Sequence, residues 1–134
     1  MASLRRRTAP LYKLERDLRD RFETEIRALP HVEIVITSSW REAFSLSEIR
    51  GHFSPDIAAR IVGTTLIASN RDGTYREREV RAYLRKHATE GDAWLAIDDD
   101  PLHFGPDASV LLVDPDHGLD YAALAKMRAA LVSQ

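Results

Sequence analysis

A run of β-branched residues that ends in hydroxyl side chains constrains the fold of this chain more than any other feature. Residues 32–36 read V-E-I-V-I. They are followed by three hydroxyl residues, an aromatic residue and a cation: Thr37, Ser38, Ser39, Trp40 and Arg41. Such a run is typical of a strand buried on both faces, as in a parallel sheet covered by helices. Because ligands bind at the carboxyl ends of strands in open α/β sheets, we expect a binding site here, with Ser39 and Arg41 as candidate substrate-binding residues.

A second strand pattern repeats this arrangement with acidic residues. Residues 93–97 read A-W-L-A-I and are followed by Asp98, Asp99 and Asp100. The carboxyl ends of parallel strands meet at one edge of a sheet, so we expect hydroxyls and carboxylates to lie together there. A plainer interpretation stays open for both stretches: the hydroxyls can form turns and helix caps, and the acids can form a turn before Pro101.

Helical and strand patterns alternate along the whole chain. The helical patterns are 11–29, a segment opened by a Ser45 and Glu48 capping box, 54–60, 74–87 and a last helix capped by Asp120. The strand patterns are 32–36, 61–67, 93–97 and 110–113. Alternation of this kind predicts the α/β class, with a mostly parallel sheet and helices on both of its faces. We expect one domain over residues 1–134, with an irregular terminus at 1–10.

Composition excludes several kinds of function. The chain has no cysteine, so disulfides, thiolate catalysis and cysteine-ligated zinc are excluded. The net charge of −2 indicates no general attraction to nucleic acid or to anionic membranes. No apolar run is long enough to span a membrane, and we expect a cytoplasmic protein. The five histidines are scattered without the spacing of metal ligands, so structural roles are expected for them.

Five segments in a fixed order resemble a known family. They are V-E-I-V-I-T-S-S-W-R-E at 32–42, I-V-G-T-T at 61–65, R-E-R-E-V-R-A-Y-L at 76–84, W-L-A-I-D-D-D at 94–100 and G-L at 118–119. Together they resemble the small haloacid dehalogenase-like (HAD) domains, in particular the group found in Swiss Army Knife RNA-repair proteins. The resemblance implies a Rossmann-like, three-layer α/β/α fold and Mg²⁺-dependent phosphoryl transfer. It also implies a phosphorylated small molecule or a nucleic-acid end as the partner.

The resemblance implies roles for residues at both strand ends. The family has a Ser or Thr that binds a phosphate oxygen, and Thr37 fits this position best, with Ser38 next. An acidic pair follows a later strand, in which Asp99 would help to ligate Mg²⁺ and Asp98 would orient a cation.

That cation holds the phosphoryl group in the family, and this sequence has two candidates for it. Arg76 and Arg78 both lie at the matching place in the R-E-R-E segment. The alternative is that both arginines belong to a solvated helix face and pair with Glu77 and Glu79.

One family motif is missing from this sequence. The family begins with an apolar strand that ends in Asp-x-Asp, whose first Asp is the nucleophile. The only aspartates before Val32 are Asp17 and Asp20, which lie in a helical pattern and do not have this spacing. The central first strand is therefore expected to be missing, which leaves two strand edges without partners.

Two hypotheses follow for the activity of the chain. In the first, the chain is a HAD-type phosphohydrolase that is inactive in this form. Its nucleophile then lies outside the sequence as given, for example because the start codon is assigned too late. Alternatively, the chain is a non-catalytic HAD-like module that binds a ligand or forms a homodimer through open sheet edges.

Overall fold

A computed structural model describes residues 16–37, 40–87, 93–114 and 119–132. The helices are α1 (Arg16–Arg27), α2 (Trp40–Ala43), α3 (Leu46–Arg50), α4 (Pro55–Ala58), α5 (Tyr75–His87) and α6 (Tyr121–Val132). The strands are β1 (Ile34–Ile36), β2 (Ile61–Thr64), β3 (Ala96–Asp98) and β4 (Val110–Leu112), with a 3₁₀ turn at Pro101–His103. Ser38, Ser39 and the predicted irregular terminus 1–10 lie outside the described residues.

The β-branched run forms a fully buried strand, as its composition predicts. Ile34, Val35 and Ile36 of β1 are each at most 1% exposed. β1 pairs with β2 in parallel, and β3 pairs with β4 in parallel. The α/β class and the parallel pairing are thus confirmed, although each strand is shorter than its sequence pattern.

The strand layer is divided into two pairs. Within the part of the chain that the structure describes, the strand orders are β1–β2 and β3–β4, with no ladder joining β1 to β3. Both pairs nevertheless contribute to one apolar cluster. Ile34 and Ile36 of β1 and Ile97 of β3 belong to it, together with residues of two helices: Phe22, Ile26, Leu124, Met127 and Leu131. Helices α1 and α6 therefore cover one face of both strand pairs.

Helix α5 covers the opposite face of the strands. Its residue Val80 packs with Ala96 of β3 and with Phe104 in a second apolar cluster. Because successive side chains of a strand point to opposite faces, Ala96 and Ile97 reach different helix layers. The described elements thus form the predicted three layers, with α5 on one side of the strands and α1 and α6 on the other.

Local capping signals place several helix ends. The Ser45 hydroxyl accepts from the Glu48 amide at 3.1 Å, and the Glu48 carboxylate accepts from the Ser45 amide at 3.0 Å, which is the predicted capping box. Asp120 accepts from the Ala123 amide at 2.9 Å and caps α6, also as predicted. Ser54 precedes α4 without a side-chain cap and donates instead to the buried carboxylate of Glu23 at 2.8 Å. None of the described helices is long and apolar enough to cross a membrane.

Truncating the α6 stripe tests this layering. Met127 is fully buried, so we expect Met127→Ala to lower the free energy of unfolding by about 2–5 kcal/mol. Val132 lies in the same helix but is 62% exposed, and Val132→Ala should change it by less than about 0.5 kcal/mol. Urea denaturation of the two variants measures the difference. Equal losses would show that α6 does not pack as described.

Candidate functional site

The carboxyl end of β1 is held by two guanidinium groups. Thr37 follows β1 directly and is 3% exposed. Its carbonyl oxygen accepts hydrogen bonds from Arg41 of α2 and from Arg76 of α5. Two of the cations selected from the sequence thus meet at one backbone carbonyl.

A buried carboxylate lies between these two arginines. Glu79 accepts from Arg41 at 2.7 Å and from Arg76 at 2.8 Å, using a different oxygen for each. The side chains of Arg41, Arg76 and Glu79 are 4%, 5% and 1% exposed, so water hardly screens the three charges. Glu79 also accepts from the Ala68 amide at 2.7 Å, which ties the segment after β2 to the site.

Glu79 is shared between two cations that repel each other. Arg41 and Arg76 each pair with one of its oxygens, and the nearby Glu42 is engaged by Arg71 at 2.6 Å. Burial lowers the pKa of Arg41, Glu79 opposes this shift, and the neighbouring Arg76 adds to it. Desolvation and like-charge repulsion thus both act on Arg41, and an anion at this position would relieve them.

Buried donors without acceptors lie in the same region. Among the described residues, the Arg76 Nε and the hydroxyl of Thr65, which is 3% exposed, have no hydrogen-bond partner. Thr65 follows β2, and its amide donates to the Ile36 carbonyl of β1 at 3.0 Å, so it adjoins the end of β1. Buried polar groups of this kind are costly unless an acceptor or a water molecule meets them.

A cleft runs between the two strand pairs, beneath α5. It is lined by Val35, Thr37, Thr65, Val80, Tyr83, Trp94, Leu95 and Ala96. Its cavity volume is about 10 Å³, close to the space that one water molecule needs. The cleft in this structure is therefore too small to enclose a phosphate group. Because Thr37 is the lining residue that contacts the two arginines, its end of the cleft is the candidate.

The acidic end of β3 is arranged differently from the cationic end of β1. Asp98 is 1% exposed and accepts from the amides of Asp99 at 2.6 Å and Asp100 at 2.9 Å. The Nδ1 atom of His103 lies 3.0 Å from Asp98, and its Nε2 atom lies 3.3 Å from Asp100. The Asp98 carboxylate is thus held by its own loop, in which His103 contacts two of the acidic residues.

The first turn of α5 contacts both strand ends. Arg76 reaches the Thr37 carbonyl after β1. The adjacent Tyr75 packs edge-on against the ring of His103, with the ring centroids 4.8 Å apart, and His103 contacts Asp98. The hydroxyl-bearing and acid-bearing strand ends therefore lie at the same end of α5, as the parallel arrangement predicts.

The two arginine candidates of the R-E-R-E segment differ sharply in position. Arg76 is buried beside Thr37, whereas Arg78 is exposed and donates to the carbonyls of Asn70 and Asp72, both at 2.9 Å. Of the other residues selected from the sequence, Arg41 lies beside Thr37 and Arg76. Asp98 lies on the other side of the first turn of α5, and Asp99, the next residue along the chain, is half-buried. Ser38 and Ser39 lie outside the described residues.

The described residues do not form a magnesium site by themselves. Mg²⁺ requires carboxylate oxygens directed at one point, supplemented by water or phosphate oxygens. In the described stretches of the chain, no three His, Asp or Glu residues are grouped so that they could hold a metal ion. Asp98 is already engaged by His103 and two amides, which leaves Asp99 as the remaining candidate of the predicted acidic pair.

Sequence reasoning missed Glu79 and Thr65 as residues of this region. The pairing of Arg76 with Glu79, three residues apart in a helical segment, was the alternative considered from the sequence, but on a solvated helix face, whereas the pair is buried. Thr65 closes the I-V-G-T-T segment, and its place after a strand was the available signal.

Replacement of each arginine tests the burial of this group. Arg76→Gln removes one partner of a buried ion pair, so we expect a loss of about 3–5 kcal/mol in the free energy of unfolding. Arg78→Gln, on the same helix but exposed, should cost less than about 0.5 kcal/mol. Chemical denaturation at neutral pH measures both. Similar losses for the two variants would argue against the buried arrangement.

The comparisons with known proteins give one match. A family model described as the HAD domain in Swiss Army Knife RNA repair proteins matches residues 2–124, which is most of the chain. No curated protein and no solved structure matches the sequence. The match covers both strand pairs and every contact of the Thr37, Arg41, Arg76 and Glu79 group. The chain belongs to the HAD domain family of the Swiss Army Knife RNA repair proteins.

Proposed function

We propose that this HAD domain binds the phosphate group of a phosphate ester at the carboxyl end of β1. The observation that carries the proposal is the meeting of two buried guanidiniums, Arg41 and Arg76, at the Thr37 carbonyl, with an Arg76 Nε that has no partner among the described residues. A phosphate group offers negative charge and several acceptor oxygens to such donors. The orphaned Thr65 hydroxyl lies at the adjacent strand end and is a further donor.

We assign the phosphate-holding role to Arg76 rather than to Arg78. Arg76 contacts the carbonyl of Thr37, the family's phosphate-binding position in this chain. It also has a buried Nε with no partner among the described residues, and such an N–H group is suited to a phosphate oxygen. Arg78 satisfies backbone carbonyls of the 70–72 segment at the surface.

The proposed activity is binding and orientation of the phosphate rather than turnover by these residues alone. Covalent phosphoryl transfer requires a carboxylate in line with the leaving group. Among the described residues, the buried carboxylate of Glu79 is held by two arginines and that of Asp98 by His103 and two amides. Neither is placed to attack a phosphate group, so the proposal is limited to binding and orientation.

The substrate class is a phosphate monoester, and the family description suggests an RNA end as its source. The printed description refers to RNA repair proteins, and a terminal phosphate of RNA has the chemistry that Arg76 and Thr37 would recognise. A phosphorylated small molecule has the same chemistry. Titration with inorganic phosphate, a 3′-phosphorylated oligoribonucleotide and a 5′-phosphorylated one separates these sources from one another.

Phosphate titration of matched arginine variants tests the binding site. We expect Arg76→Lys to weaken the binding of inorganic phosphate by about tenfold or more, because lysine lacks the planar array of donors. Arg78→Lys, the exposed control, should bind phosphate as the wild type does. Calorimetry or amide chemical-shift titration measures the affinities. A wild type that binds no phosphate, or equal affinity in both variants, would overturn the assignment.

Turnover is measured separately with p-nitrophenyl phosphate. Binding without hydrolysis is the expected result for this chain. Hydrolysis with Mg²⁺ that disappears in Asp99→Ala would instead show a complete phosphohydrolase and contradict the binding-only proposal.

Magnesium dependence provides an independent check. Because the described carboxylates do not form a metal site, we expect the phosphate affinity to be the same, within about twofold, in EDTA and in millimolar Mg²⁺. The titration is repeated in both buffers at one ionic strength. Tighter binding in Mg²⁺, abolished by Asp99→Asn, would show that Asp99 holds the ion after all.

A further inference from the structure

Glu79 binds the two guanidiniums that the proposed phosphate would also bind. Its two oxygens are divided between Arg41 and Arg76, at 2.7 and 2.8 Å. Its side chain is 1% exposed, so it is a buried counter-charge that both guanidiniums contact. A phosphate group binds guanidiniums through the same kind of N–H···O contacts.

We propose that Glu79 is a positioning residue that competes with phosphate for the charge of Arg41 and Arg76 and thereby sets the affinity of the site. This inference rests on the proposed phosphate-binding function. Glu79 holds the guanidiniums against Thr37 and neutralises one of their two charges. An incoming phosphate gains less from the guanidiniums than it would in the absence of the carboxylate, because like charges repel in a poorly solvated site.

The Ala68 amide provides a reporter for this competition. It donates to the same Glu79 oxygen that binds Arg41, at 2.7 Å. A phosphate group that draws Arg41 or Arg76 away from Glu79 changes the charge environment of the oxygen that accepts from this amide. The chemical shift of Ala68 therefore follows the state of Glu79 and not only the occupancy of the site.

The decisive variant is Glu79→Gln, which keeps the size of the side chain but removes its charge. The two guanidiniums then have no buried counter-charge at Glu79, and we expect inorganic phosphate to bind about tenfold more tightly or better than to the wild type. We also expect a fixed concentration of phosphate to raise the melting temperature of the variant more than that of the wild type. A merely structural role of Glu79 predicts the opposite, namely weaker binding.

Glu77→Gln is the matched control for this experiment. Glu77 lies on the same helix, but it accepts from Arg81 and the Gly105 amide, both at 2.7 Å. Removal of its charge should leave the phosphate affinity unchanged. If Glu79→Gln does not fold, the Ala68 amide of the wild type decides instead: an Ala68 chemical shift that stays unchanged when phosphate saturates the site overturns the competition.

The possible outcomes separate this inference from the proposed function. Tighter binding in Glu79→Gln than in the wild type, together with an Ala68 shift in the wild type on addition of phosphate, supports the competition. A variant that binds only as well as the wild type, or less well, overturns it, even where wild-type binding confirms the phosphate site. Binding by the variant alone supports the competition and shows that Glu79 closes the site in the wild type. Binding by neither protein overturns both.

Discussion

The buried contact of Glu79 with Arg41 and Arg76 determines how the parts of this domain meet. It joins α5 to α2, and through the Thr37 carbonyl it joins both helices to the end of β1. The Ala68 amide adds the segment after β2. A buried ion group is a weak source of stability, because the removal of charges from water costs nearly as much as their attraction returns. Its position at the carboxyl end of a parallel strand, where ligands bind in open α/β sheets, fits the proposed binding role.

Helix packing holds the divided strand layer in place. Within the described residues no ladder connects β1 with β3, yet Ile36 and Ile97 share one apolar cluster with α1 and α6. On the opposite face, α5 contacts β3 through Val80 and the end of β1 through Arg76. Burial of apolar side chains thus holds β1 and β3 together, although no ladder between described residues connects them. The same division leaves the cleft whose end carries Thr37.

Sequence periodicity was sufficient to predict the class of the fold but not the selection of the site residues. The β-branched run, the Ser45 and Glu48 capping box and the buried stripe of α6 follow from local physics, and the structure contains all three. In the R-E-R-E segment, by contrast, Arg76 and Arg78 have the same charge and similar neighbours in sequence. Which of them is buried depends on how α5 lies over the strands, and that orientation is tertiary information. The ladder of β3 also extends to Asp98, because the Asp98 carbonyl accepts from the Val113 amide, a contact that no local pattern reveals.

The two strand ends differ in how far their charges are already satisfied. At β3, Asp98 has His103 and two amides, so its carboxylate is held by groups of its own loop. At β1, two guanidiniums share one carboxylate, and a buried Arg76 donor lacks an acceptor among the described residues. Under the proposed function, an anion that binds between the two ends gains more at the β1 end, where it meets two guanidiniums, than at the β3 end, where it meets carboxylates. Recognition in the proposed site would then depend on Arg76 and its competitor Glu79, and the acidic loop after β3 would limit how far the anion can extend.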